Sequence, residues 1–148
     1  MKILIVTDAY FPQVNGVVRT LHETGEVLKS QGHTLEYITP QQFLTVPMPK
    51  YNEIRLSLNV WPRVSNLINS IKPDAIHIAT EGPLGFMARR HCIKKGLKFT
   101  TSFHTRFDKY FKLYMPIIPA KWSEKFLCNF HNKACLLYTS DAADDLYR

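Results

Sequence analysis

The stretch KPDAIHIATEGPLG, residues 72–85, reads as a turn, a buried strand and a helix start in immediate succession. Pro73-Asp74 punctuates the chain. Residues 75–79 form a short strand pattern in which His77 alternates between Ile76 and Ile78. Pro83 then suits a first helical turn, where its fixed φ helps and its missing N–H is not needed. Gly96 stands where that helix would close in a left-handed residue. Strand, tight turn and helix in this order form the repeating unit of a parallel sheet with crossover helices.

The same unit recurs on both sides. Residues 2–7 are a buried-strand run, followed by a helix over 17–31 with Val17, Val18, Leu21, Val27 and Leu28 on one face, closed by Gly32. A second strand covers 34–39 and stops at Pro40. Residues 40–53, with Pro47 and Pro49, read as a loop leading to a short strand at 54–58. Pro62 opens a helix over 63–71, and a last clear strand spans 98–103. No internal repeat is visible. The expected fold class is α/β, a Rossmann-like doubly wound parallel sheet. Such sheets bind ligands outside the C-terminal ends of their strands, so function is expected after Thr7, Ala79 and Phe103.

Composition bounds the answer. With 148 residues, 45% apolar and 21% charged, the chain can build one core but not two ordinary domains. Its apolar runs fall short of the roughly 18 to 20 residues that span a bilayer, and the N-terminal run is too short for a signal-peptide core. A soluble cytoplasmic domain is expected. Cys92, Cys128 and Cys135 lack metal or redox spacing and read as reduced thiols, with no metal site. The formal charge of +7 is uneven: residues 1–83 are neutral, residues 84–134 carry +9 and residues 135–148 carry −2. A basic half-domain suits an anionic partner or simply a solvated face.

The three strand ends differ in chemistry. After the first comes TDAYFPQVNGVVRT, residues 7–20, with a single glycine, Gly16, behind Asn15 at the helix start. A phosphate could approach free N–H groups there, although Asn15-Gly16 reads equally as a turn and cap. Glu81, after the 75–79 strand, could bind sugar hydroxyls or cap the following helix. His104 stands at the C-terminal edge of the last strand, whereas His77 reads as structural, and His22, His33 and His91 as helix or turn surface. Phe107, Tyr110, Phe111 and Tyr114, interleaved with bases over 106–122, mark either core packing or a helix that meets an anionic membrane.

The segments TDAYFPQVNGVVRT, KPDAIHIATEGPLG and FTTSFHTRF (residues 99–107) resemble the N-terminal half of the retaining group 1 (family 4) glycosyltransferases. The likeness runs toward GDP-mannose-dependent alpha-mannosyltransferases and sulfoquinovosyl-type enzymes, and covers residues 1 to 134. It implies the acceptor-side domain of a two-domain B-type fold with the active site between the domains. It also implies that Asn15, Gly16 and Val17 approach the donor diphosphate, and that His104 acts beside the transferred sugar as the catalytic residue. Asp8, Arg19, Glu81 and Arg106 become acceptor-side candidates. The donor is expected to be a nucleotide-sugar, GDP-mannose first, with no separate cofactor. The acceptor is a lipid or glycan, with peripheral contact to an anionic membrane and no nucleic acid.

Two departures qualify the likeness. The family's Glu-x7-Glu motif and its second domain are missing, and residues 135–148 change composition abruptly, as a frame-shifted or vector-like tail would. A truncated, inactive fragment is therefore expected. Two competitors remain. A dinucleotide-binding Rossmann enzyme would use Glu36 for the ribose, but Gly16 stands alone. A basic nucleic-acid-binding module would use the +9 segment, but no helix-turn-helix, zinc or RNA-binding signature accompanies it.

Overall fold

In the computed structural model of the chain, the described residues are 1–48, 51–104 and 119–139. They run β1 (Lys2–Val6), α1 (Gly16–Ser30), β2 (Thr34–Ile38), a 3-10 turn (Pro40–Gln42), β3 (Leu44–Met48), β4 (Tyr51–Leu58), α2 (Arg63–Ile71), β5 (Ala75–Ile78), α3 (Pro83–Lys95), β6 (Thr100–Phe103), α4 (Ala120–His131) and β7 (Leu136–Thr139). Five strands make a wholly parallel sheet in the order β2-β1-β5-β6-β7. This is the expected doubly wound α/β sheet flanked by helices.

Strand alternation distributes the core between two faces. Leu4, Val6, Ile76 and Ile78 pack with Val64 and Ile68 of α2, Leu84, Ala88 and Cys92 of α3, and Phe130 of α4. Ile5 and Ala79 pack with Leu21 of α1, backed by Ile3, Val17 and Tyr37. Helix α1 therefore covers one face and α2, α3 and α4 the other. The winding reverses between β1 and β5. There the chain leaves β1 for α1 on one face and β5 for α3 on the other, and in sheets of this kind ligands bind at such a reversal.

The β5–α3 turn explains its glycines. A Cβ on Gly85 would run into the Thr80 carbonyl oxygen, and one on Gly82 into the Asp8 carboxyl group. Gly96, at φ +66°, closes α3 as expected. Lys94 and Lys95 in the last turn of α3 complement its negative end, which accounts for part of the basic surplus.

Two expectations meet a different structure, and a third segment is described beside them. Residues 40–53 are not a loop: β3 and β4 pair antiparallel as a separate two-stranded sheet. Both strands of a two-stranded sheet are edge strands, where proline is tolerated, and the register shifts beside Pro47. His91 is buried within α3 rather than on the surface. Leu136–Thr139, within the stretch set apart as a tail, lies parallel to β6 as an edge strand, with Leu136, Leu137 and Tyr138 about half exposed. Residues 140–148 lie outside the described residues. Burial pushes the Cys92 thiol up to about 11. Among the described residues, no helix is long and apolar enough to cross a membrane.

Candidate functional site

Asp8, two residues past the end of β1, ties the β1 loop to the β5–α3 turn where the winding reverses. Its carboxylate accepts from the Thr80 hydroxyl (2.7 Å), the Leu84 amide (2.8 Å) and the Gly85 amide (3.3 Å), while its own amide donates to Thr80 Oγ1 (2.7 Å). Asp8 thus supplies the negative charge at the N-terminus of α3 that the sequence led us to look for in Glu81. Burial raises the Asp8 carboxyl above its ordinary range, the three donors pull it back, and neighbouring Glu81 adds to the rise. Both oxygens are spent on the fold, so Asp8 joins the β1 loop to the start of α3.

Glu81, one residue past Thr80, turns instead to α4. Its carboxylate accepts from His131 Nε2 at 3.0 Å, and the two side chains are only 5% and 9% exposed. The other His131 nitrogen lies 2.9 Å from the Thr101 hydroxyl on β6. The Phe103 and Phe130 rings meet the imidazole edge-on. The His131 contact ties α4 to the ends of β5 and β6 and fixes the Glu81 charge at the sheet's edge.

His104 stands one residue past β6. Its Nε2 lies 2.7 Å from Ser102 Oγ, which in turn lies 3.2 Å from Nε2 of His77. Desolvation lowers the basicity of His104, and the Glu81 charge opposes that. Glu81 therefore acts electrostatically on both Asp8 and His104. Burial, followed by the neighbouring His104, takes His77 down to about 4. His77 is structural, as the sequence reading had it, but it is also bonded into the chain that holds His104.

On the α1 side, Asn15 caps the helix: its Oδ1 accepts from the Val18 amide at 3.0 Å. That bond leaves the amides of Gly16 and Val17 as the first-turn donors not used by the cap. A Cβ on Gly16 would meet nothing within 4 Å. Neither packing nor backbone strain requires glycine there. Arg19 is exposed one turn along α1. The preceding loop is anchored by Tyr10 on Tyr37, Phe11 on His22, and Gln41 Nε2 donating to the Phe11 carbonyl. Arg106 and the aromatic run 107–114 lie outside the described residues.

Sequence reasoning missed His131, which meets Glu81 across fifty positions, and Thr101, which holds the other nitrogen of that imidazole. It also missed Ser102, although its alternation with Thr100 beside a strand histidine was a usable signal. A hollow of about 280 Å³ lined by Asn69, Lys72, Asp74 and Lys98 lies at the opposite edge of the sheet.

The sequence profile described as Glycosyltransferase Family 4 matches residues 14–147. The chain belongs to this family. Its glycosyltransferase relatives include two proteins named alpha-monoglucosyldiacylglycerol synthase. The one from Streptococcus pneumoniae is 24% identical over 123 residues, covering 74% of this chain and 28% of the relative. The one from Acholeplasma laidlawii is 27% identical, covering 74% and 31%. A GDP-mannose-dependent alpha-mannosyltransferase from Corynebacterium glutamicum is 26% identical, covering 57% and 24%. The chain spans about a quarter to a third of the length of these curated relatives. No solved structure matches it.

Proposed function

We propose that this chain is the acceptor-side domain of a retaining glycosyltransferase that moves a hexose, mannose first, from a nucleotide-sugar such as GDP-mannose to a lipid or glycan acceptor. The observation that carries the reading is the shared rim at the C-terminal ends of the parallel strands: the α1 N-terminus follows β1, Glu81 follows β5 and His104 follows β6. The amides of Gly16 and Val17 suit the negative charge that grows on a departing diphosphate. The imidazole of His104 suits a sugar oxygen. Arg19 and Arg106 are assigned to anionic groups of donor or acceptor. Glu81 acts through the field it sets at His104, and Asp8 by joining the β1 loop to the start of α3. The family resemblance assigns the nucleotide and most diphosphate contacts to a second, donor-side domain.

Relatives named for glucosyl and for mannosyl transfer favour a hexose donor, and diacylglycerol in two of those names favours a lipid acceptor. Peripheral attachment at the cytoplasmic face of an anionic membrane fits the surface of α4. There Trp122 is 72% exposed, Phe126 stacks on Phe86, and Lys121 and Lys125 are exposed beside them. The test is sugar transfer by an enzyme carrying this domain, supplied with GDP-mannose or UDP-glucose and diacylglycerol in anionic vesicles. Transfer that is lost in His104→Ala supports the reading. Undiminished transfer in that variant refutes the role of His104, and absence of transfer with either donor refutes the hexose assignment.

A further inference from the structure

The two-stranded sheet is apolar on the face left open among the described residues. Its register sets Leu44 opposite Leu58 and Val46 opposite Leu56, so alternation puts these four side chains on one face. Leu44 is 72% exposed, Val46 and Leu58 are exposed as well, and Leu56 is half-buried. The other face turns inward. Ser57 is buried there, and Phe43 and Val60, which flank the sheet, pack on the core formed with α2 and α3. Trp61, 64% exposed, and Arg63, whose guanidinium lies 5.5 Å over the Phe43 ring, follow at the start of α2. Residues 38–49 and 54–63 contain two arginines and no acid, and Lys50 and Glu53 between them cancel.

This surface begins at the strand-end rim. The chain enters it from the C-terminal end of β2, where the Ile38 carbonyl accepts from the Thr7 amide and Gln41 donates to the Phe11 carbonyl of the loop after β1. Crossover helices run back against parallel strands, so α2, α3 and α4 all start from that edge, on the same face of the sheet. Phe86 of α3 stacks on Phe126 of α4, and further along Arg89 donates to the Asn129 and Phe130 carbonyls, so the two helices run side by side in one direction. Trp122 lies one turn before Phe126 and therefore reaches beyond the first turn of α3. Trp61, just before α2, and Trp122, in the first turn of α4, thus stand at the same edge.

We propose that the open face of β3 and β4, with Trp61 and Arg63, docks on an anionic bilayer as a second contact beside α4, and so turns the strand-end rim toward the lipid. Leu44, Val46 and Leu58 enter the acyl boundary, Trp61 sits at headgroup level, where an indole is favoured, and Arg63 meets anionic headgroups. One contact through α4 would leave the chain free to pivot, whereas two contacts on separate elements fix which edge faces the membrane. A second copy of the chain fits this face less well. Its four aliphatic side chains expose on the order of a few hundred Å², short of the roughly 800 Å² that each partner of a stable pair buries. The choice of a bilayer rests on the functional reading above, because a lipid acceptor is met at a membrane, while the surface itself rests on register, exposure and charge.

The chain has two tryptophans, one on each element, and this makes the test direct. The 148-residue chain is mixed with phosphatidylcholine–phosphatidylglycerol vesicles whose acyl chains carry bromine, a contact quencher of indole fluorescence. Trp122→Phe leaves Trp61 as the reporter, and Trp61→Phe leaves Trp122. Both reporters should be quenched. Leu44→Ser with Leu58→Ser, at exposed positions and with the fold checked by amide spectra, should weaken vesicle binding at least about tenfold. Arg63→Gln should weaken it about fivefold, the worth of one basic side chain at an anionic surface. If Trp122 is quenched and Trp61 is not, the sheet does not dock and the proposal is overturned, while attachment through α4 stands. If neither is quenched, membrane attachment in the functional reading fails with it. A dimer seen by sedimentation without lipid, and lost in the double serine variant, would assign the face to a second copy and overturn the proposal as well.

Discussion

Acidification should weaken the fold through His77 by an amount that follows from its environment. In the folded chain its imidazole is held down to about 4, against an ordinary value of 6.5, chiefly by burial and secondarily by His104. Between those values the unfolded chain binds a proton that the native chain refuses. Stability is therefore full above pH 6.5 and is lost as pH falls toward 4. The gap of about 2.5 units corresponds to about 3 kcal/mol, most of it spent between pH 7 and 4.5. His91 and His104, also lowered, act with the same sign, and Asp8, raised by burial, acts with the opposite one. The wild-type slope is consequently composite, and the difference from His77→Gln isolates one group. That variant keeps an amide donor and acceptor where the imidazole meets Thr100 and Ser102. Urea unfolding at pH 7 and pH 4.5 should show wild type losing about 2 kcal/mol more than His77→Gln over that interval. Equal losses in the two proteins would refute the placement of a neutral, desolvated imidazole between β5 and β6.

Four further outcomes can be checked. Gly16→Ala should be neutral or stabilise the chain by about 0.5 kcal/mol in urea unfolding, since its Cβ meets nothing, while the same change in a transferring enzyme should weaken the donor by crowding the helix N-terminus. Gly85→Ala should cost at least about 3 kcal/mol, because its Cβ collides with the Thr80 carbonyl and the backbone must move. Asp8→Ala removes the acceptor shared by Thr80, Leu84 and Gly85 and should cost about 2 to 3 kcal/mol. The purified 148-residue chain should show no measurable sugar transfer from GDP-mannose to a lipid acceptor, and measurable transfer would overturn the assignment of donor binding to a second domain.

The fold was legible because its punctuation is local. Pro83 and Gly96 bracket α3, Gly32 follows α1, and α2 runs over the residues that its periodicity marks. The β3–β4 pair was hidden because Pro47 and Pro49 look like breakers, and Pro47 is tolerated because both strands are edge strands. At the site, position was legible but partnership was not. The rim after β1, β5 and β6 follows from parallel topology, and Asp8, Glu81 and His104 all stand on it. Which carboxylate caps α3 is a matter of reach between neighbouring strand ends, and it falls to Asp8 through a turn that Gly82 and Gly85 make tight enough. The His131 partner of Glu81 lies fifty positions away on α4, and no periodicity connects them.

A nucleotide-sugar is proposed to bind at the strand ends where the winding reverses between β1 and β5. Hydrogen–deuterium exchange of an enzyme carrying this domain, with and without GDP-mannose, tests it most directly. Concerted protection of residues 15–18, 81–84 and 103–104, saturating with a single dissociation constant, is the expected result. Protection confined to residues 72–74 and 97–98, around the hollow at the far edge, or saturable binding that leaves all three strand ends unprotected, would contradict it.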